Sequence, residues 1–276
     1  MRTSPSPDRR SRRLRWLGRV PAAVISGLAV VLVAPFLLGG APPPTSEVLG
    51  ALATPTAPPS ADPVAHAAAI DAHVRRPDPA GQDRHAPDPA TLTGYVWPIH
   101  RARFTHPFGP SQWGSRIVDG QRFHDGIDVA SFCGDRIVAA HAGVVLAAGR
   151  RYDEFMGWIG DLTPYTDRLD AKHLWSTLPI VVVIDDGNGY RSMYAHFRSV
   201  VVAPGDVVEA GDLLGYEGMT GRATGCHLHY GLFSPDEFAV FGFDPGAAAR
   251  MLLPTEMIAR IDPLLVLPPL EEAGIR

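Results

Sequence analysis

Between two short β-type runs, 180–185 and 190–195, stand four residues of turn chemistry, Asp186-Gly187-Asn188-Gly189. Glycine and asparagine accept the positive φ angles that a tight reversal needs, so the pattern is that of a β-hairpin. A hairpin commits its strands to antiparallel pairing, since parallel neighbours need a crossover of a dozen residues or more. The same texture holds from Thr93 onward, with β-type runs at 95–97, 127–129, 137–139, 143–147, 207–208 and 227–233 broken by Gly, Asn and Pro. The expected fold is mainly β, an antiparallel sheet domain over 93–245. An irregular insertion at 150–179, containing Trp158, Tyr165 and Trp175, interrupts it, and connections of that length tend to be functional or mobile. Residues 246–276 read as a C-terminal tail, with a helix expected over 254–261.

The chain before this domain has a different character. Residues 1–19 form a basic segment carrying Arg9, Arg10, Arg12, Arg13, Arg15 and Arg19. No charge occurs from 20 to 38, and nineteen helical residues rise about 28 Å, close to the roughly 30 Å hydrocarbon core of a bilayer. Segment 20–40 therefore reads as a transmembrane signal anchor, with the basic segment held in the cytoplasm and the rest exported. A cleaved signal peptide is the alternative, with small residues at 39–41 and 51–53 as cleavage sites, although the apolar run is longer than the usual signal core. Residues 41–92 hold eleven of the 27 prolines and suit a disordered, semi-rigid linker whose job is reach.

The formal net charge of −4 conceals an asymmetry, because residues 1–20 hold seven of the 25 basic residues and one of the 29 acidic ones. The remainder is strongly acidic, which argues against nucleic acid as its partner. Only two cysteines occur, Cys133 and Cys226, with no Cys-x-x-Cys spacing, so a zinc ribbon is excluded. Such a pair reads as one disulfide in an oxidising compartment and as two buried thiols otherwise.

Chemistry concentrates on histidine. In Gly225-Cys226-His227-Leu228-His229-Tyr230-Gly231 the two histidines are two apart, so on a strand both imidazoles face one side. In His124-Asp125-Gly126-Ile127-Asp128, His124 and Asp128 share a face of an extended segment, with Gly126 between them on that face. Gly126 and the β-branched Ile127 and Val129 favour strand over helix here. His124, Asp128 and one of His227 or His229 make a two-histidine, one-carboxylate set. Those ligands suit zinc and leave a fourth tetrahedral position open for water. His196, in Met193-Tyr194-Ala195-His196, is a further candidate for acid–base or oxyanion duty.

His-x-x-x-Asp, Tyr-Ala-His and His-x-His, in this order, resemble the M23 (lysostaphin/LytM-type) zinc metallopeptidases. Thr220-Gly221-Arg222-Ala223-Thr224-Gly225, Pro107-Phe108-Gly109 and the 205–215 turn are also similar to that family, and the likeness covers roughly 95–235. The resemblance implies an antiparallel β-sheet groove of the LytM/lysostaphin type, like a duplicated hybrid motif, and one zinc ion per chain. It implies His124, Asp128 and His229 as the zinc ligands. His227 would then be the general base or proton shuttle, and His196 would orient the water or stabilise the oxyanion. The implied activity is endopeptidase cleavage of stem or cross-link peptides in bacterial cell-wall peptidoglycan. An exported protein agrees with that, whether anchored in the membrane facing the wall or secreted. If the metal joins the segments flanking Cys133 and Cys226, those cysteines come within reach of a disulfide, with free thiols or thiolate ligation as the alternatives. The long insertion departs from the family pattern, and a non-catalytic, wall-binding module that activates another hydrolase is the competing reading. A swinging-arm carrier, suggested by the 205–215 turn, is rejected because the only lysine is Lys172.

Overall fold

The computed structural model describes residues 85–276. The basic segment, the 20–40 segment expected as a membrane anchor and most of the 41–92 linker lie outside the described residues. Among the described residues no helix is long and apolar enough to cross a membrane.

The hairpin at 186–189 forms the middle of the molecule's principal sheet. Val181–Asp185 pairs antiparallel with Arg191–Ala195, with Asp185 opposite Arg191. Gly187 and Gly189 take φ of +70° and +89°, and the Asp185 side chain accepts a 2.9 Å hydrogen bond from the Gly187 amide. Seven strands lie in the order Arg103–His106, Ile127–Ala130, Leu228–Phe233, Arg191–Ala195, Val181–Asp185, Gly143–Gly149 and Val207–Val208. Every pairing between them is antiparallel.

The central strands are apolar on both faces because the sheet separates two cores. The period of two sends Val182, Ile184, Tyr194, Leu228, Tyr230, Ile127 and Val129 into one core. Val181, Val183, Met193, Ala195 and Phe233 enter the other. Asp128 and His229 therefore project from the second face.

A six-stranded sheet joins Gly109–Pro110, Gln121–His124, Arg116–Val118, Val240–Phe243, Glu256–Ile258 and Trp158–Ile159. A three-stranded sheet joins Ser199–Val200, Leu213–Tyr216 and Arg136–Val138.

The structure departs from the sequence reading in three places. Residues 95–97 form no strand; Tyr95 and Trp97 are buried, and the indole of Trp97 donates to the Pro268 carbonyl at 2.8 Å. The 150–179 insertion is ordered, with a helix α1 (Thr163–Ala171) and a strand at Trp158–Ile159. Its Tyr152, Phe155, Met156, Tyr165 and Leu169 fill the second core. The helix expected over 254–261 is replaced by strand Glu256–Ile258, held between Val240–Phe243 and Trp158–Ile159. Two flanking strands and the burial of Met257 and Ile258 outweigh local helical propensity there. A helix α2 (Pro245–Met251) precedes it, capped by the Asp244 side chain. The segment 246–276 packs into the same body through Met257, Ile258, Ala273 and Ile275.

Candidate metal centre

Sheet register assembles the site. His229 lies opposite Asp128 on one side and Ala195 on the other, while Asp128 lies opposite His106 on the edge strand. His106, Asp128 and His229 thus form one transverse row on the face that carries the second core. His124 enters from elsewhere, as the last residue of strand Gln121–His124 in the six-stranded sheet. His124 and Asp128 do not share one continuous strand. The chain passes between the two sheets at Asp125-Gly126, and that break aims both side chains at His229. Gly126 is required by close approach, since a Cβ there would lie 2.5 Å from the Tyr230 carbonyl and 2.8 Å from the His229 ring.

Three donor atoms converge. His229 Nδ1 lies 3.0 Å from His124 Nε2 and 3.0 Å from Asp128 Oδ1, and His124 Nε2 lies 3.2 Å from Asp128 Oδ1. Donors on a tetrahedral zinc ion, with bonds of about 2.0–2.1 Å, are separated by about 3.3 Å. The triangle fits such an ion. His124 Nδ1 donates to the Pro107 carbonyl at 2.8 Å, so its neutral ring presents the Nε2 lone pair inward. A neutral His124, a carboxylate and His229 together offer at most one proton for three crowded atoms. A cation between them would resolve that crowding. Among the described residues, this is the one group of three His, Cys, Asp or Glu side chains that could hold a metal ion.

Two further histidines border the triangle. The rings of His196 and His227 lie 4.6 Å apart between centroids, and His227 Nε2 stands 3.8 Å from Asp128 Oδ1. His227 directly precedes strand Leu228–Phe233. Its Nδ1 donates to the Gly225 carbonyl at 3.0 Å, and His196 Nδ1 donates to the Thr220 carbonyl at 2.7 Å. Both rings are thus fixed by backbone carbonyls, with Nε2 left for the site.

Charge follows the same logic. Burial pushes the His196 pKa down to about 4, so it is neutral at neutral pH. Burial opposes the charge on Asp128, but hydrogen bonds from His124 and His229 hold its carboxyl well below the usual range. Burial also opposes protonation of His124, but Asp128 outweighs it and raises the pKa.

Two nearby residues carried no functional signal in the sequence. His106 packs edge-on against His124, with centroids 4.6 Å apart, and its Nε2 lies 2.6 Å from the Ser111 hydroxyl. Asp125 is buried and bonded by Arg116 Nε at 2.7 Å.

Cys133 and Cys226 are joined by a disulfide, with Cα atoms 5.3 Å apart. It ties the turn after strand Ile127–Ala130 to the residue before His227. Glu217 reinforces the junction, accepting hydrogen bonds from the Ser131 amide at 2.9 Å and hydroxyl at 2.8 Å.

Residues 169–238 match the model described as peptidase family M23, a span that includes His196, His227 and His229. The DD-carboxypeptidase/endopeptidase Mpg of Neisseria meningitidis serogroup B is 32% identical over 135 residues, covering 49% of this chain and 25% of that protein. The peptidoglycan DD-endopeptidase ShyA of Vibrio cholerae is 47% identical over 51 residues, 18% of this chain and 12% of that protein. The chain therefore spans a quarter or less of the length of these relatives. The solved structure of lysostaphin from Staphylococcus simulans superposes with a TM-score of 0.40 at 20% identity, over 67% of this chain and 56% of that one.

Proposed function

This chain belongs to peptidase family M23, and from that premise we propose that it is a zinc-dependent endopeptidase hydrolysing stem or cross-link peptides of bacterial cell-wall peptidoglycan. The observation that carries the proposal is the triangle of His124 Nε2, Asp128 Oδ1 and His229 Nδ1, closed to 3.0–3.2 Å with His196 and His227 beside it.

His124, Asp128 and His229 would hold one zinc ion through those atoms. Such an ion supplies Lewis acidity and lowers the pKa of a water from 15.7 towards about 7. The chain's own residues do the rest. His227, tethered at Nδ1 to Gly225, takes a proton at Nε2 and returns it to the leaving amine. His196 is neutral, and its Nδ1–H is committed to Thr220. Its Nε2 is therefore an acceptor, suited to orienting the attacking water rather than donating to an oxyanion. The ordered insertion packs on the sheet face that bears the metal residues and so belongs to the surroundings of the substrate groove.

The relative named a peptidoglycan DD-endopeptidase favours a wall peptide as substrate and an extracytoplasmic place of work. Segment 20–40 supplies the anchor in the membrane, or the signal for secretion. The test is digestion of purified peptidoglycan by the full chain with and without chelator, the products identified by mass spectrometry. Chelator-sensitive release of peptide-cleaved muropeptides is the expected result. Unchanged muropeptides from zinc-loaded protein would overturn the proposal.

A further inference from the structure

Asp125 is a buried carboxylate with two arginines on one side and a metal-site histidine on the other. Its Oδ2 accepts from Arg116 Nε at 2.7 Å and lies 3.8 Å from Arg260 Nε. Its Oδ1 has no hydrogen bond among the described residues and lies 3.9 Å from His229 Nε2. That nitrogen is on the far side of the ring from Nδ1, the atom that joins the metal triangle.

The arginines are themselves fixed. Arg260 is buried and donates to the carbonyls of Ile258 and Met156, with its guanidinium 4.2 Å from the centroid of the Phe233 ring. Arg116 bonds Ser115 at 3.0 Å and lies 5.3 Å from the Phe243 ring centroid and 5.8 Å from that of Trp158. Met156 and Trp158 belong to the 150–179 insertion, and Arg260 and Ile258 to the C-terminal segment. The insertion and the C-terminal segment thus converge on one carboxylate behind one metal-site ring.

We propose that Asp125 is a positioning residue for the metal: its free oxygen takes the Nε2–H of His229 and so fixes Nδ1 as the metal-binding nitrogen. A metal-bound imidazole commonly donates its second N–H to a carboxylate, which sets tautomer and ring orientation and raises ligand basicity. The 3.9 Å separation exceeds a hydrogen bond by about 1 Å, a gap to be closed by rotation of the Asp125 carboxylate about Oδ2, the oxygen that Arg116 holds. Arg116 and Arg260 anchor Oδ2 beside the ring, so the insertion and the C-terminal segment act on the metal centre without touching it. The inference rests on the proposed zinc site at His124, Asp128 and His229.

The test is zinc titration of the purified full chain against a competing chromophoric chelator, with nitrogen-15 NMR of the histidine rings. Wild type should bind one zinc, and its zinc-loaded form should show a slowly exchanging Nε2–H on His229. Asp125→Asn should weaken zinc 10–100-fold and move the His229 ring signals while leaving those of His196 in place. Equal zinc affinity in wild type and Asp125→Asn, or a His229 Nε2–H exchanging as fast as an exposed imidazole, overturns the role of Asp125 alone. Failure of wild type to bind zinc overturns the site itself. If Asp125→Asn does not fold, the exchange rate in wild type decides the question.

Discussion

His227 and His229 reach the same oxygen at different depths: His229 Nδ1 stands 3.0 Å from Asp128 Oδ1, and His227 Nε2 stands 3.8 Å from it. The closer contact belongs to a residue inside the strand, locked by register against Asp128. The longer one belongs to the residue before the strand, tethered by the Gly225 carbonyl. The proposed roles follow that difference, with His229 as a ligand and His227 as a separate proton carrier. His229→Ala should therefore abolish stoichiometric zinc binding, while His227→Ala should keep the metal and lose about 10²–10⁴ in kcat. Zinc content and kcat measured on the same preparations check this, and loss of zinc from both variants would show that the two histidines share one role.

The disulfide should act on stability more than on the metal. Cys133 and Cys226 are 93 residues apart, and closing a loop of that size restrains the unfolded chain by about 4–5 kcal/mol. The strand ladder that sets Asp128 against His229 does not depend on the bridge. Replacing both cysteines with serine should lower the free energy of unfolding by that amount in denaturant titration and leave zinc stoichiometry at one. Stability equal to wild type would show that the bonds from Ser131 to Glu217 hold the junction alone.

A second buried carboxylate should make stability fall as pH rises. Burial pushes the Asp186 pKa up to about 8, against hydrogen bonds from Ser192 and Tyr95 that favour the charged form. Below about pH 4 both folded and unfolded chains hold this proton. Between there and pH 8 the unfolded chain releases it first, so stability declines by at most about 1.4 kcal/mol per pH unit and levels off above pH 8. Asp186→Asn mimics the neutral acid and should flatten that portion of the curve. Chemical denaturation of both proteins at pH 5, 6, 7 and 8 provides the comparison, and parallel curves would sink the assignment.

Much of the site could be read locally because its chemistry is periodic. Two histidines at spacing two need only a strand to face one way, and the 186–189 turn already signalled antiparallel pairing. Spacing does not distinguish His229 from His227; only the ladder shows that His229 is the one opposite Asp128. Asp125 was illegible because its meaning comes from Arg116 and Arg260, which other strands deliver. The strands Arg116–Val118 and Gln121–His124 are short, and they exist through pairing with each other and with the distant Val240–Phe243. The same long-range pairing turned 256–258 from an expected helix into a strand.

Gly126 offers a direct test of how tightly the break between the sheets is built. The Tyr230 carbonyl, 2.5 Å from a Cβ placed there, belongs to a strand residue paired with Ile127, so it cannot withdraw without breaking the ladder. The other neighbour is the His229 ring, 2.8 Å away, which can move only by leaving the metal triangle. Gly126→Ala should therefore cost about 1–3 kcal/mol of stability as an overpacked site and also weaken zinc. Gly225→Ala meets nothing within 4 Å and should keep wild-type stability and zinc affinity. Denaturant titration and chelator competition on the two variants measure both effects. Full zinc affinity in Gly126→Ala would mean that the His229 ring has more freedom than the packing around Gly126 implies.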